Sequence, residues 1–147
     1  MSDFIIPDPQ FEARVRASFA NQAMMRTLGA KLSRVVAGGI EIEMPHGRGF
    51  TQQDGFLHAG AVAAPMDSAC GYAAMTLTPV GARVLTIEFK INLLSPANAE
   101  RYLFEAHVTK AGRTIAVCDG AAYGLTGTKR KRLATMTATV MTMLSRT

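Results

Sequence analysis

Between Asp54 and Thr76 the chain reads DGFLHAGAVAAPMDSACGYAAMT, and this stretch constrains the fold more than any other. From Ala59 to Met75 it is long enough for about five helical turns, with Gly55 and Gly60 giving flexible backbone at the entry. Ala61, Ala63, Ala64, Ala69, Cys70, Gly71, Ala73 and Ala74 are small and let other backbone approach from several sides. The run therefore predicts one deeply buried helix wrapped by a sheet. Asp67 is its single acid, and no base lies within two turns of it. An ionised carboxylate there requires a partner, hydrogen bonds or an open site, so a solvent-facing cleft or a second subunit must serve it. A second reading starts the helix after Pro65, with Asp67 as its N-cap. The stretch alone leaves both open.

Ahead of this helix, Phe11, Val15, Phe19, Met24, Met25 and Leu28 recur at near-helical spacing. They predict a helix over Gln10 to Leu28 with a weak point at Asn21, ending at Gly29. Lys31 to Pro45 reads as a hairpin or one bent strand, with Ile40, Ile42 and Met44 alternating with Glu41 and Glu43. His46 to Leu57 is a loop by composition. Beyond Pro79 and Gly81, Leu85, Ile87, Phe89, Ile91 and Leu93 alternate with Thr86, Glu88, Lys90 and Asn92, a strand with one apolar face. Arg101 to Thr109, Thr114 to Leu125 and Leu133 to Leu144 follow as strands, with Thr126 to Arg130 as a basic turn. The sum is a leading helix, a strand, a buried helix and four strands in a meander. A small antiparallel sheet covers one long helix only by curling around it. Its edge strands invite pairing with a second copy, which predicts a homodimer with a continuous sheet.

At 147 residues the chain fits one domain with a real core. Cys70 and Cys118 lie in apolar segments without a CxxC or a Cys/His cluster, so buried free thiols are expected and no metal site is implied. The first residues, MSDFIIPDPQFEARVR, place acids before the first base and lack an apolar core, which predicts no signal peptide and a cytoplasmic protein. The longest uncharged run holds too many polar and special residues for a membrane span. A net charge of +5 favours polyanionic partners in a general way. With no Trp and bases scattered apart from Lys129 to Arg132, a phosphate-bearing small molecule is favoured over nucleic acid.

His58-Ala59-Gly60 opening the helix, Asp67 nine residues after the histidine, LTIEFKINLLSPA (Leu85 to Ala97) and AHVTKAGRTIAV (Ala106 to Val117) together resemble the hotdog-fold acyl-CoA thioesterases of the phenylacetate-degradation type. The resemblance runs from about Gln52 to Met143. Members commonly read Asn, five residues, His-Gly-Gly; here Gln52 stands where the Asn would, and the triplet is HAG. It implies an α+β hotdog fold of five to six curled antiparallel strands around one long helix. Residues 1–29 would form an N-terminal helical segment and residues 30–147 the hotdog core of a single domain.

The implied activity is hydrolysis of aryl or medium-chain acyl-CoA thioesters, with coenzyme A as part of the substrate and no separate cofactor. By the resemblance, Asp67 is the general base or nucleophile, facing the loop of another subunit. Unpaired N–H groups at a helix start stabilise an oxyanion, and Ala59 with Gly60 beside it fits that task. Gln52 and Thr86 orient the water or the carboxylate, and His58 fixes the loop. Ser95, Pro96 and Asn98 in one turn and Lys110, Gly112 and Arg113 in another hold the coenzyme A arm. Phe50, Phe56, Met66 and Tyr72 wall the acyl pocket. Self-association as a homodimer or a dimer of dimers is expected, without nucleic acid or membrane. Two other readings use the same fold: a non-catalytic acyl-CoA binding module, and a hydratase or dehydratase, which needs a histidine paired with an acid.

Overall fold

The computed structural model describes residues 4–145; residues 1–3, part of the stretch read for a leader, and 146–147 lie outside the described residues. The N-terminal segment forms α1 (Phe11–Ala20) and α2 (Ala23–Thr27) rather than one helix. The break falls at Asn21 and Gln22, where Gln22 turns extended and carries the chain into α2. Gly29 then takes a φ of +69°, a conformation that favours glycine, and releases the chain into β1 (Lys31–Val36). The β1–β2 hairpin is real, with β2 spanning Gly39–Pro45.

The central helix, α3, runs unbroken from Ala59 to Met75 with Pro65 inside it. Asp67 is therefore a mid-helix residue, which removes the reading in which it caps a helix begun after Pro65. The small residues do what their size allows. A Cβ added at Gly120 on the sheet would sit 3.3 Å from the Cys70 Sγ on the helix and 3.3 Å from the Glu105 carbonyl oxygen. The other strands are β3 (Arg83–Leu93), β4 (Arg101–Ala111), β5 (Ile115–Thr126) and β6 (Lys129–Met143). All six pair antiparallel in the order β1-β2-β4-β5-β6-β3, and α3 packs against every strand from β2 to β6. This is the hotdog arrangement. The core inside the curl includes Ile42, Met44, Met66, Tyr102, Phe104, Met136 and Val140.

Three details of the expected strand pattern are corrected. The last four strands are not a simple meander: only β4, β5 and β6 are, because β2 occupies the free edge of β4. β3 pairs with β6 instead and becomes a sheet edge. Its expected apolar face is also broken, since a register shift between Thr86 and Glu88 leaves Ile87 out of the ladder. Leu85, Ile87, Phe89 and Leu93 are 54, 54, 43 and 55% exposed. Lastly, the basic turn expected over Thr126 to Arg130 is shorter, because β5 runs to Thr126 and β6 starts at Lys129. Gly127, at a φ of +57°, closes a tight hairpin and the basic run continues as the start of β6. There Arg130 lies over the Tyr123 ring at 3.7 Å from its centroid and bonds Glu105 at 2.8 Å.

The N-terminal segment is fastened to the core by one arginine. Arg14 donates to Asp8 Oδ2 (2.8 Å), Thr78 Oγ1 (3.1 Å) and the carbonyls of Met75 (3.3 Å) and Thr78 (2.8 Å). It thereby covers the C-terminal end of α3, where helix carbonyls lack partners within the helix. No helix among the described residues is long and apolar enough to cross a membrane.

Candidate active site

The start of α3 is built by its own loop. His58 is the N-cap, and its Nδ1 accepts from the Gly60 N–H at 2.8 Å. Gly60 is thus already engaged, which corrects the expectation that its N–H is free beside that of Ala59. Among the described residues the Ala59 N–H has no hydrogen-bond partner. An unpaired donor at the positive end of a helix is suited to an anion or a polarised carbonyl. Gln52 holds the loop ahead of it. Its Oε1 accepts from Asp54 N–H (2.6 Å) and Phe56 N–H (3.3 Å), which leaves its amide N–H groups without a partner among the described residues.

Both donors border a cavity of about 360 Å³ whose far wall is Leu93 to Ala97 and Leu133. That wall is pinned in turn. Leu57 N–H donates to the Ala97 carbonyl (2.8 Å), and the Tyr102 hydroxyl accepts from Ala99 N–H (3.2 Å) while donating to Ala97 (3.4 Å). Ser95 and Pro96 line this cavity; Asn98, further along the turn, does not.

Asp67 lies elsewhere. It is half-buried on α3, and Thr86 on β3 donates to its Oδ1 at 2.7 Å. One oxygen is fixed and the other is left to the cavity it borders, about 500 Å³ in volume and shared with Ser18, Gln22, Tyr72 and Arg83. Eight residues of helix separate Asp67 from Ala59, roughly 12 Å, so one copy of the chain does not bring the carboxylate and the free N–H together. The same division separates two other expected groupings within one copy of the chain. Phe56 lines the first cavity and Tyr72 the second, while Met66 is in the core and Phe50 packs against it. Lys110, Gly112 and Arg113 sit at the hairpin level with Leu85, whereas Ser95 follows Leu93. Eight strand steps, roughly 25 Å, lie between the two groups.

The hydratase reading requires a His–acid pair. Among the described residues His58 bonds Gly60 and His46 bonds the Tyr102 hydroxyl at 2.9 Å; neither bonds an acid. Both cysteines are free and buried, with Cys118 Sγ 3.4 Å from the Cys70 carbonyl. Burial pushes both thiols up, Cys118 to about 12. A buried neutral thiol holds its proton when the unfolded one releases it. This contribution to stability is complete below the ordinary thiol range and declines as pH rises from about 9 towards 12. An aromatic disulfide reagent at pH 8 is expected to label neither cysteine in the native protein and both after denaturation. Rapid native labelling would contradict this burial.

A comparison with protein families matches the Thioesterase superfamily over residues 54–130, more than half of the chain. The chain belongs to the thioesterase superfamily. The matched stretch contains α3 with Asp67 and all of β3, β4 and β5. Among solved structures, a thioesterase family protein from Silicibacter pomeroyi is 48% identical over 92% of this chain and 99% of its own, with a TM-score of 0.90. The PaaI protein of the E. coli phenylacetic acid degradation operon is 18% identical, covering 91% and 94%, with a TM-score of 0.83. A Staphylococcus aureus thioesterase is 22% identical over 84% and 100% at 0.79. That protein has been solved with alanine in place of a glutamine and, separately, of a glutamate. The two more distant likenesses speak for the fold.

Proposed function

We propose that this superfamily member hydrolyses acyl-CoA thioesters, aryl or medium-chain, at sites shared between two copies of the chain. The observation that carries the reading is Asp67: a carboxylate on a helix of small residues, fixed at one oxygen by Thr86 and open at the other to a cavity. The exposed apolar edge of β3 supports the pairing, because an unpaired strand edge with four large apolar side chains more than 40% exposed invites a partner. In a two-fold antiparallel pairing of β3 with itself, the Thr86 end of one strand faces the Leu93 end of the other. Asp67 of one copy then meets the Gln52 and Ala59 cavity of its mate. The hairpin carrying Lys110, Gly112 and Arg113 likewise approaches the mate's Ser95 to Asn98 turn, so both groups serve one coenzyme A.

In this site the thioester oxygen accepts from the Ala59 N–H and the Gln52 amide. Asp67 takes a proton from water through its free oxygen as the water attacks the carbonyl carbon. Collapse of the tetrahedral oxyanion breaks the C–S bond, and the departing thiolate receives that proton from the Asp67 carboxyl. Thr86 positions the carboxylate. The glutamine and glutamate replaced in the Staphylococcus aureus protein stand as far apart in sequence as Gln52 and Asp67 do here, which supports giving these two residues a joint task.

The test is thiol release from a panel of aryl- and fatty-acyl-CoA thioesters by the purified protein. Turnover with one group preferred is expected. Tight binding without release would instead leave a binding module.

A further inference from the structure

Glycine in a helix interior is disfavoured relative to alanine, so its presence at Gly71, the one glycine of α3 beyond the first turn, needs a cause. Backbone conformation supplies none, since Gly71 is not among the glycines of positive φ. Packing supplies none either. A Cβ at Gly120 would press on the Cys70 sulfur, but one at Gly71 would have no heavy atom within 4 Å beyond its own stretch of helix among the described residues. The space over Gly71 is the cavity beside Asp67, about 500 Å³ in volume. That cavity has a direction. Its other α3 residues, Ser68, Gly71, Tyr72 and Met75, all follow Asp67, and β3 lines it up to Thr86 and not beyond. It therefore runs from the carboxylate towards the C-terminal end of α3, and Gly71 stands one turn along it, roughly 6 Å from Asp67. The polar side chains of the wall are paired with one another: the Ser18 and Tyr72 hydroxyls lie 3.2 Å apart, and Ser68 donates to Gln22 Oε1 at 2.9 Å. Bare backbone at Gly71, with Met75 and the half-buried Val84, is left to meet carbon.

We propose that Gly71 sets the size of acyl group this protein takes, because the acyl chain crosses the helix at the place where a side chain is missing. With the thioester at Asp67, an acetyl group ends before Gly71, whereas a hexanoyl or phenylacetyl group lies over it and reaches towards Met75. A side chain at this position would stand in its path. Gly71 thus selects medium-chain and aryl thioesters over short ones. The inference rests on the hydrolytic reading only in placing the thioester at Asp67.

Binding in the Asp67→Asn protein separates this inference from the hydrolytic one, because it reads the cavity without turnover. By calorimetry, hexanoyl-CoA is expected to bind more tightly than acetyl-CoA, by on the order of tenfold, as its methylenes leave water. Adding Gly71→Leu should bring that ratio to about one, with Gly71→Ala between. The Gly71→Ala protein should also melt about 3 °C higher than its parent, since alanine suits a helix better and meets no atom there. The absence of a preference in the parent, or a preference that survives Gly71→Leu, would overturn the proposal. So would an equal loss of both thioesters, or a lower melting temperature for Gly71→Ala, either of which would give the space over Gly71 to the fold or to a second copy. Hydrolysis by the wild type reports separately on the proposed activity.

Discussion

Replacing Asp67 with asparagine is expected to lower kcat for acyl-CoA hydrolysis by about a hundredfold or more while leaving the fold and the binding of the thioester in place. The substitution is nearly isosteric. Thr86 donates to Oδ1 at 2.7 Å, and an asparagine carbonyl accepts the same bond. What disappears is the second, basic oxygen facing the cavity. The effect should therefore appear in kcat and little in KM, since an amide fills the same space but cannot accept the proton of water. The check is steady-state thiol release together with a thermal melt of both proteins. The native cysteines are buried, so an added thiol reagent reads released coenzyme A against a low background. Loss of activity with a collapsed melting transition would make Asp67 a structural residue instead.

The second large effect is on stability. Arg14→Leu is expected to cost about 3–5 kcal/mol, because it strands the buried Asp8 carboxylate without its cation. It also removes a donor from three further groups: the Thr78 hydroxyl, the Thr78 carbonyl and the carbonyl of Met75, the last residue of α3. Asp8 is 4% exposed, so water does not readily replace the guanidinium. For a chain of this size the melting temperature should fall by roughly 10 °C. Asp8→Leu combined with Arg14→Leu should be less harmful than the sum of the two single changes, as is usual for partners in one network. Calorimetric unfolding of the three variants measures this, and a single-variant loss below about 1 kcal/mol would contradict the clasp.

That clasp was invisible in the sequence, and the reason is distance. Arg14 and Thr78 are 64 positions apart, and nothing local in either segment marks them as partners. What periodicity and side-chain size dictate was legible. The small residues between Ala59 and Met75 announced a buried helix, and the alternation through Ile40, Ile42 and Met44 announced a strand with one polar face. The place of β3 was not legible, because the ladder it joins depends on which edge remains free once β2 has taken β4. Nor was its bulge: a run of alternating residues carries no mark of the position at which one slips out of register. Ile87 therefore reads as core and lies largely in solvent.

The site was legible as residues and not as a place. Asp67, Thr86, Gln52 and Ala59 stood out by type and by resemblance, and the Thr86–Asp67 bond joins two of them. That His58 occupies the Gly60 N–H, leaving Ala59 as the free donor, follows from a cap geometry that residue order does not reveal. The division into two cavities is likewise a property of helix length and of the direction of β3.

A site shared between copies is the centre of this account, and mixed dimers test it most directly. Gln52→Ala and Asp67→Asn proteins are each expected to be impaired as homodimers, since each damages both sites. Denatured together in equal amounts and refolded, half of the resulting dimers carry one site with both residues intact. About a quarter of the wild-type rate should return by random pairing. A mixture no more active than its two components, with subunit exchange verified, would contradict the shared site and confine the chemistry to a single copy of the chain.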